Sequence, residues 1–88
     1  MRYRVAFTPQ AQRELDELPR HVQRRIARWL DLLAADPRRE GTKKLQAQGD
    51  LRRVHASKDY VIVYLVRDKE VLVLVVRVAH RGEVYRGL

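Results

Sequence analysis

From Leu51 to Ala79 the chain passes through three strand-like stretches, LRRVHA, DYVIVYLV and EVLVLVVRVA, parted only by short polar breaks at Ser57 to Asp59 and Arg67 to Glu70. Val, Ile and Tyr at this density favour extended backbone. Breaks this short cannot carry a crossover, so each stretch must turn back on the one before it as an antiparallel hairpin. A sheet therefore occupies the second half of the chain, and the first half must cover it.

The first half has the right grammar. Tyr3 to Phe7 alternates large apolar groups with Arg4 and Ala6, which reads as a strand with one buried face. Thr8 followed by Pro9 starts a helix, because Thr can cap free backbone N–H groups and Pro fits the first helical position. Ala11, Leu15 and Leu18 share one face of it, and Pro19 ends or redirects it. Val22, Ile26, Trp29, Leu30 and Leu33 then recur at the spacing of a helical turn, with Arg24, Arg25, Arg28 and Asp31 on other faces. Asp36 and Pro37 stop this second helix, since the residue before Pro is pushed out of the helical region. The following PRREGTKKLQAQGD is polar and Gly-punctuated, and reads as a loop.

The economical packing is an α+β fold: an N-terminal strand, two helices, then a three-strand antiparallel meander, with the helices packed on one face of a four-stranded antiparallel sheet. The near-continuous apolar run Val71 to Val76 marks the expected most central strand. Residues 1–88 are read as one domain, without repeat or linker.

Charge restricts the partners. A net charge of +8 among 88 residues points to a polyanion, whether nucleic acid, an anionic surface or an acidic protein. Cys is absent, so disulfides and thiolate chemistry are excluded. No apolar run approaches the roughly 20 residues of a membrane span, and Met1 to Phe7 lacks a signal peptide's apolar segment, so a cytoplasmic protein is expected. His21, His55 and His80 fall on different elements without metal-ligand spacing. Ser57 sits in a turn without a nucleophile motif, and no Gly-rich phosphate loop occurs.

If the helices cover one face, strand residues on the other face are open. Alternation with Val54 and Ala56 toward the core selects Arg53 rather than Arg52 to share that face with His55. Arg77, Ala79 and Arg81 share a side, and Lys43, Lys44 and Lys58 adjoin in loops. Any one of these cations is adequately explained as a solvated residue on a half-covered sheet. As a group with Tyr and His they suit phosphates and unpaired bases, because guanidinium forks hold phosphate and aromatic rings stack on bases. Such a group could also run phosphodiester chemistry without metal or cofactor. RNA is cut when its own 2′-hydroxyl attacks the adjacent phosphate, given in-line orientation, one proton acceptor, one donor and charge stabilisation.

The apolar run of the last strand stops abruptly in HRGEVYR, residues 80–86. That ending, behind a hairpin strand DYVIVY, resembles the C-terminal signature of the RelE/ParE toxin superfamily. FTPQAQRELDELP is similar to the family's first helix and DPRREGTKKL to its loop into the sheet, so the resemblance covers nearly the whole chain. It implies a RelE-like fold and, from the Arg-rich, Tyr-ended form, the RelE branch of ribosome-dependent mRNA endonucleases.

By position, the resemblance assigns Arg81 to leaving-group protonation or phosphate stabilisation, and Tyr85 to proton removal and base stacking. Arg53 matches a basic residue of the first strand after the loop. A phenol holds its proton near neutrality unless cations crowd it, so His80 stands as the rival base. RNA contacts are expected from Lys43, Lys44, Arg52, His55, Lys58, Arg77 and Arg86. One departure is plain: the family's Arg after the Tyr of the middle strand is here Val61. The implied partners are a RelB-like cognate antitoxin, the ribosome and mRNA, with no membrane, and a monomer that forms a hetero-oligomer with its antitoxin. The alternatives are a ParE-like gyrase inhibitor without catalytic residues, or a catalytically weak ribosome-binding relative.

Overall fold

Thr8 opens the first helix by the mechanism its chemistry allows. In the computed structural model, which describes residues 2–45 and 49–86, Thr8 is extended and its Oγ1 accepts a bond from the Ala11 N–H at 3.2 Å. Helix α1 (Pro9–Asp16) follows, with Pro9 in its first turn. Pro19 redirects the chain, standing immediately before α2 (Arg20–Ala35). The apolar stripe of α2 is buried at Val22, Ile26, Leu30 and Leu33, and Asp36 leaves the helix in extended backbone. The strands are β1 (Arg4–Phe7), β2 (Thr42–Lys44), β3 (Leu51–His55), β4 (Tyr60–Arg67) and β5 (Leu72–His80).

The α+β layout and the β3–β4–β5 meander match the expectation, but among the described residues the sheet has five strands, in the order β1-β5-β4-β3-β2. The added strand β2 lies in the segment read as a loop. It is three residues long and pairs antiparallel with β3, Thr42 opposite Val54 and Lys43 opposite Arg53. Backbone pairing with a ready edge makes it a strand, and so short a polar segment carries no alternation to reveal that. Residues 46–48 of the expected loop lie outside the described residues. The sheet is also mixed, because β1 runs parallel to β5, Arg4 opposite Leu72 through Phe7 opposite Val75.

The central strand is β4, whose Val61, Ile62, Val63 and Tyr64 are all 0% exposed. The apolar run expected to mark the centre belongs to β5, one place toward the edge. Its continuity has another cause: the β4–β5 register shifts between Val63 and Tyr64, which face Arg77 and Val75 respectively and leave Val76 unpaired. This bulge reverses the alternation of β5. Val73, Val75 and Val78 face the helices with Val54, Ile62 and Tyr64, whereas Val76 and Ala79 face the other side. Without the extra residue, Arg77 would point into the main core.

At the far end of the sheet from the C-terminal turn, Tyr3 and Arg38 both donate to Asp68, and Arg38 also pairs with Asp50. The β4–β5 turn closes there through Val71, which adopts a left-handed conformation with φ of +49°. Tyr64 crosses the core to donate its hydroxyl to the Pro37 carbonyl at 2.7 Å. No helix among the described residues is long and apolar enough to cross a membrane.

Candidate active site

Across the face turned away from the helices, the register aligns Lys43, Arg53, Val63 and Arg77 in one row over four strands. The next row is His55, Val61 and Ala79. Directly opposed residues project to the same side, so alternation selects Arg53 and His55 for this face as expected. Lys43 and His55 are exposed and Arg53 is half-buried. Neither Lys43 nor Arg53 makes an ion pair among the described residues.

The centre of this face is not bare. Beyond His80 the chain folds back in a turn in which the Glu83 and Val84 N–H groups donate to the His80 carbonyl at 2.8 and 3.0 Å, and Arg86 N–H donates to the Glu83 carbonyl at 3.0 Å. This plants Val84, fully buried, on Leu51, Val61, Val63 and Ala79 as a second, smaller core. Its neighbour Tyr85 is thrown outward and is 44% exposed, the large hydrophobic side chain left in solvent among the described residues. Arg81 and Arg86 flank it in the same turns, both exposed. The Arg81 N–H donates to the Asp59 carbonyl at 2.8 Å, which fixes the turn to the β3–β4 connection. Burial of one valine thus anchors the turn that carries Arg81 and Tyr85 to the face of the sheet on which Arg53 and His55 stand.

Five of the expected site residues, Lys44, Arg52, Lys58, Arg77 and His80, stand elsewhere or are already engaged. Arg52 projects to the helix side with Lys44 opposite it, and its guanidinium donates to Thr42 Oγ1 at 3.0 Å. His80 also lies on the helix side: it faces Tyr60 across the β4–β5 ladder, the rings meeting edge-on at 5.9 Å, and its Nδ1 accepts from the Gly82 N–H at 3.1 Å. It borders a hollow with Glu14 of α1 and with Glu17 and Leu18 just beyond that helix, so alternation separates it from Arg53. Lys58 is exposed on the β3–β4 turn, beside a hollow shared with His21 and Arg25.

Arg77 faces the site but is not free. Its Nε and Nη2 reach Glu14 Oε2 at 2.9 and 2.8 Å, and its Nη1 donates to the Arg86 and Val84 carbonyls at 2.8 and 3.3 Å. The other Glu14 oxygen accepts from the Val78 N–H at 2.9 Å, where β5 has run past its partner β1. Glu14 was legible as an oddity, since it lies three residues after Ala11 and four before Leu18, on the flank of the apolar stripe of α1.

Val61 occupies the position where the resemblance expects Arg. Its side chain is on the open face directly opposite His55, fully buried beneath the C-terminal turn. Apolar packing stands there in place of the expected cation, and His55 is the polar side chain beside it in the row.

The sequence pattern described as "ParE toxin of type II toxin-antitoxin system, parDE" matches residues 5–85, from the first strand through Tyr85. The chain belongs to this toxin family. Within the RelE/ParE superfamily its solved neighbours are RelE-like. The archaeal RelE–RelB complex from Pyrococcus horikoshii contains a chain 32% identical, with a TM-score of 0.79, covering 94% of this chain and 99% of that one. The RelBE2 toxin–antitoxin complex from Mycobacterium tuberculosis matches at 25% identity and a TM-score of 0.80, covering 92% and 100%. The isolated E. coli RelE toxin matches at 29% and 0.79, covering 89% and 83%. No curated protein matches significantly by sequence.

Proposed function

We propose that this toxin is a ribosome-dependent endoribonuclease that cuts mRNA without a metal ion or cofactor. The observation that carries the reading is the exposed Tyr85, next to the buried Val84 that packs on the face where Lys43 and Arg53 stand without carboxylate partners among the described residues. On this reading the cations grip the phosphates on either side of the scissile bond, and Tyr85 stacks on a splayed base while accepting the 2′-hydroxyl proton. The 2′-oxygen attacks phosphorus, the bond to the 5′-oxygen breaks, and Arg81 supplies the proton or charge stabilisation that the leaving oxygen requires. Arg53 holds the phosphoryl oxygens, and His55 takes the place in the row that Val61 vacates. His80 is left out of the proton transfer because its ring faces α1.

A RelB-like antitoxin is the proposed partner, as in the complexes from P. horikoshii and M. tuberculosis. With a charge of +8 on the toxin, an acidic inhibitor laid over the basic face would neutralise it electrostatically. The proposed place of action is the cytoplasm, where translating ribosomes are found.

Primer extension on a message under translation, with and without the purified protein, tests the reading. Wild type should give discrete cuts near the decoding site, and the Tyr85→Phe/Arg81→Ala double variant none. Undiminished cutting by the double variant defeats the assigned site. The ParE description of the matching family favours a second reading, a gyrase inhibitor that acts by binding alone. That reading predicts inhibited DNA supercoiling and intact transcripts.

A further inference from the structure

Tyr85 has no buried side chain of its own to hold it, yet the carbonyls on both sides of it, those of Val84 and Arg86, accept from the same nitrogen, Arg77 Nη1. The opposite edge of that guanidinium is locked by Glu14, with Nε and Nη2 on one carboxylate oxygen. Glu14 is in turn fixed by the Val78 N–H. The two side chains are only 11% and 19% exposed, so water competes weakly for these bonds. A chain of contacts therefore runs from α1 through the edge of β5 to the backbone of Tyr85, and the bulge at Val76 is what places Arg77 within it.

The geometry points to Glu14 and Arg77 as a positioning pair that clamps the Tyr85 turn onto the sheet and sets the phenol for cleavage. This rests on the endonuclease reading for its catalytic half only. Arg is required for a geometric reason: one planar group must present donors along two edges, toward a carboxylate and toward two carbonyls. Lys offers a single point charge and can satisfy Glu14 or the turn, not both in this arrangement. Because its donors are occupied, Arg77 does not bind RNA phosphate.

The test uses the full-length protein and the variants Arg77→Gln, Arg77→Lys and Glu14→Gln, with two readouts. The first is NMR hydrogen exchange of the Val84 and Arg86 amides, whose acceptors lie within the turn, with β4 amides as the control. The second is cleavage of ribosome-bound message, giving kcat, KM and the salt dependence of binding. The clamp predicts at least tenfold faster exchange at Val84 and Arg86 in Arg77→Gln and Glu14→Gln, with β4 protection retained. It also predicts at least a tenfold fall in kcat with KM within about twofold and an unchanged salt slope. Should Arg77→Gln fail to fold, Arg77→Lys, which keeps the charge beside Glu14, must show the same turn-specific exchange. Unchanged exchange in the folded variants overturns the clamp. A lowered salt slope with kcat intact would instead make Arg77 a direct phosphate contact, which also overturns it. If wild type does not cut at all, the endonuclease reading and the catalytic half of this inference fail together, while the exchange data still decide whether the clamp exists.

Discussion

Arg38 holds Asp68 in a fork, Nη1 to Oδ1 at 3.0 Å and Nη2 to Oδ2 at 2.8 Å, and the Tyr3 hydroxyl adds a third bond at 2.6 Å. These bonds, Arg38 first and Tyr3 second, hold the Asp68 carboxyl down at about 2. A folded-state value below the unfolded one means that the unfolded chain binds the proton more readily. The contribution is complete above the usual carboxylate range and is lost as pH falls toward about 2. The urea midpoint of wild type should therefore drop more steeply between roughly pH 4 and 2 than that of Asp68→Asn. The group is largely exposed, so 1 M salt should shrink the difference. Parallel midpoint curves at low salt would show that the fork contributes nothing to stability.

Val71 should be replaceable with profit. A β-branched residue at φ of +49° carries a left-handed backbone that costs roughly 1–2 kcal/mol. Asn tolerates that region by bonding locally. Val71→Asn is expected to raise unfolding free energy by about 1 kcal/mol in urea titration. A loss of stability would mean that the half-buried valine side chain contributes more than the backbone strain removes.

Placing at position 61 the Arg that the resemblance leads one to expect should harm this protein. Val61 lies fully buried beneath Val84, among Val63 and Ala79. A guanidinium there must either lose water without a partner or lever the turn away. Val61→Arg should lower stability by roughly 1–3 kcal/mol and reduce cutting rather than increase it. An active, equally stable variant would mean that the turn has room to accommodate the cation.

Lys43 and Arg53, paired across β2 and β3, should each report one phosphate contact. In titrations with a single-stranded RNA, Lys43→Ala and Arg53→Ala should each reduce the slope of log K against log salt by about 0.7. Lys44→Ala, on the opposite face, should leave that slope unchanged. Equal effects at all three positions would point to a diffuse charge cloud rather than a face.

Much of this was readable because it is local or periodic. Thr8 and Pro9 specify a helix start, Val22 through Leu33 specify a stripe, and short polar breaks force hairpins. The selection of Arg53 and His55 for one face follows from strict alternation in β3. The failures share a cause, which is non-local pairing. Strand β2 exists because β3 offers it an edge, and the parallel match of β1 with β5 joins residues that nothing in their own composition relates. The bulge at Val76 is equally silent in a run of apolar residues, so the apolar continuity of β5 reads as centrality when it records a change of phase. Arg77 looked like one more surface cation because its partners, Glu14 and two carbonyls, lie on segments that meet only after folding. His80 sits next to Arg81 in sequence, and a single step of alternation sends its ring to the other side.

The parallel pairing of β1 with β5 also dictates when the molecule can exist. Arg4 has to wait for Leu72 before it has a neighbour, so most of the polypeptide must be synthesised before its opening strand finds a mate. A product released early would carry an unmated apolar ribbon and no last strand to bring Arg81 and Tyr85 into place. Entry of β1 into the sheet is therefore coupled to the making of β5, and not to the helices that directly follow β1.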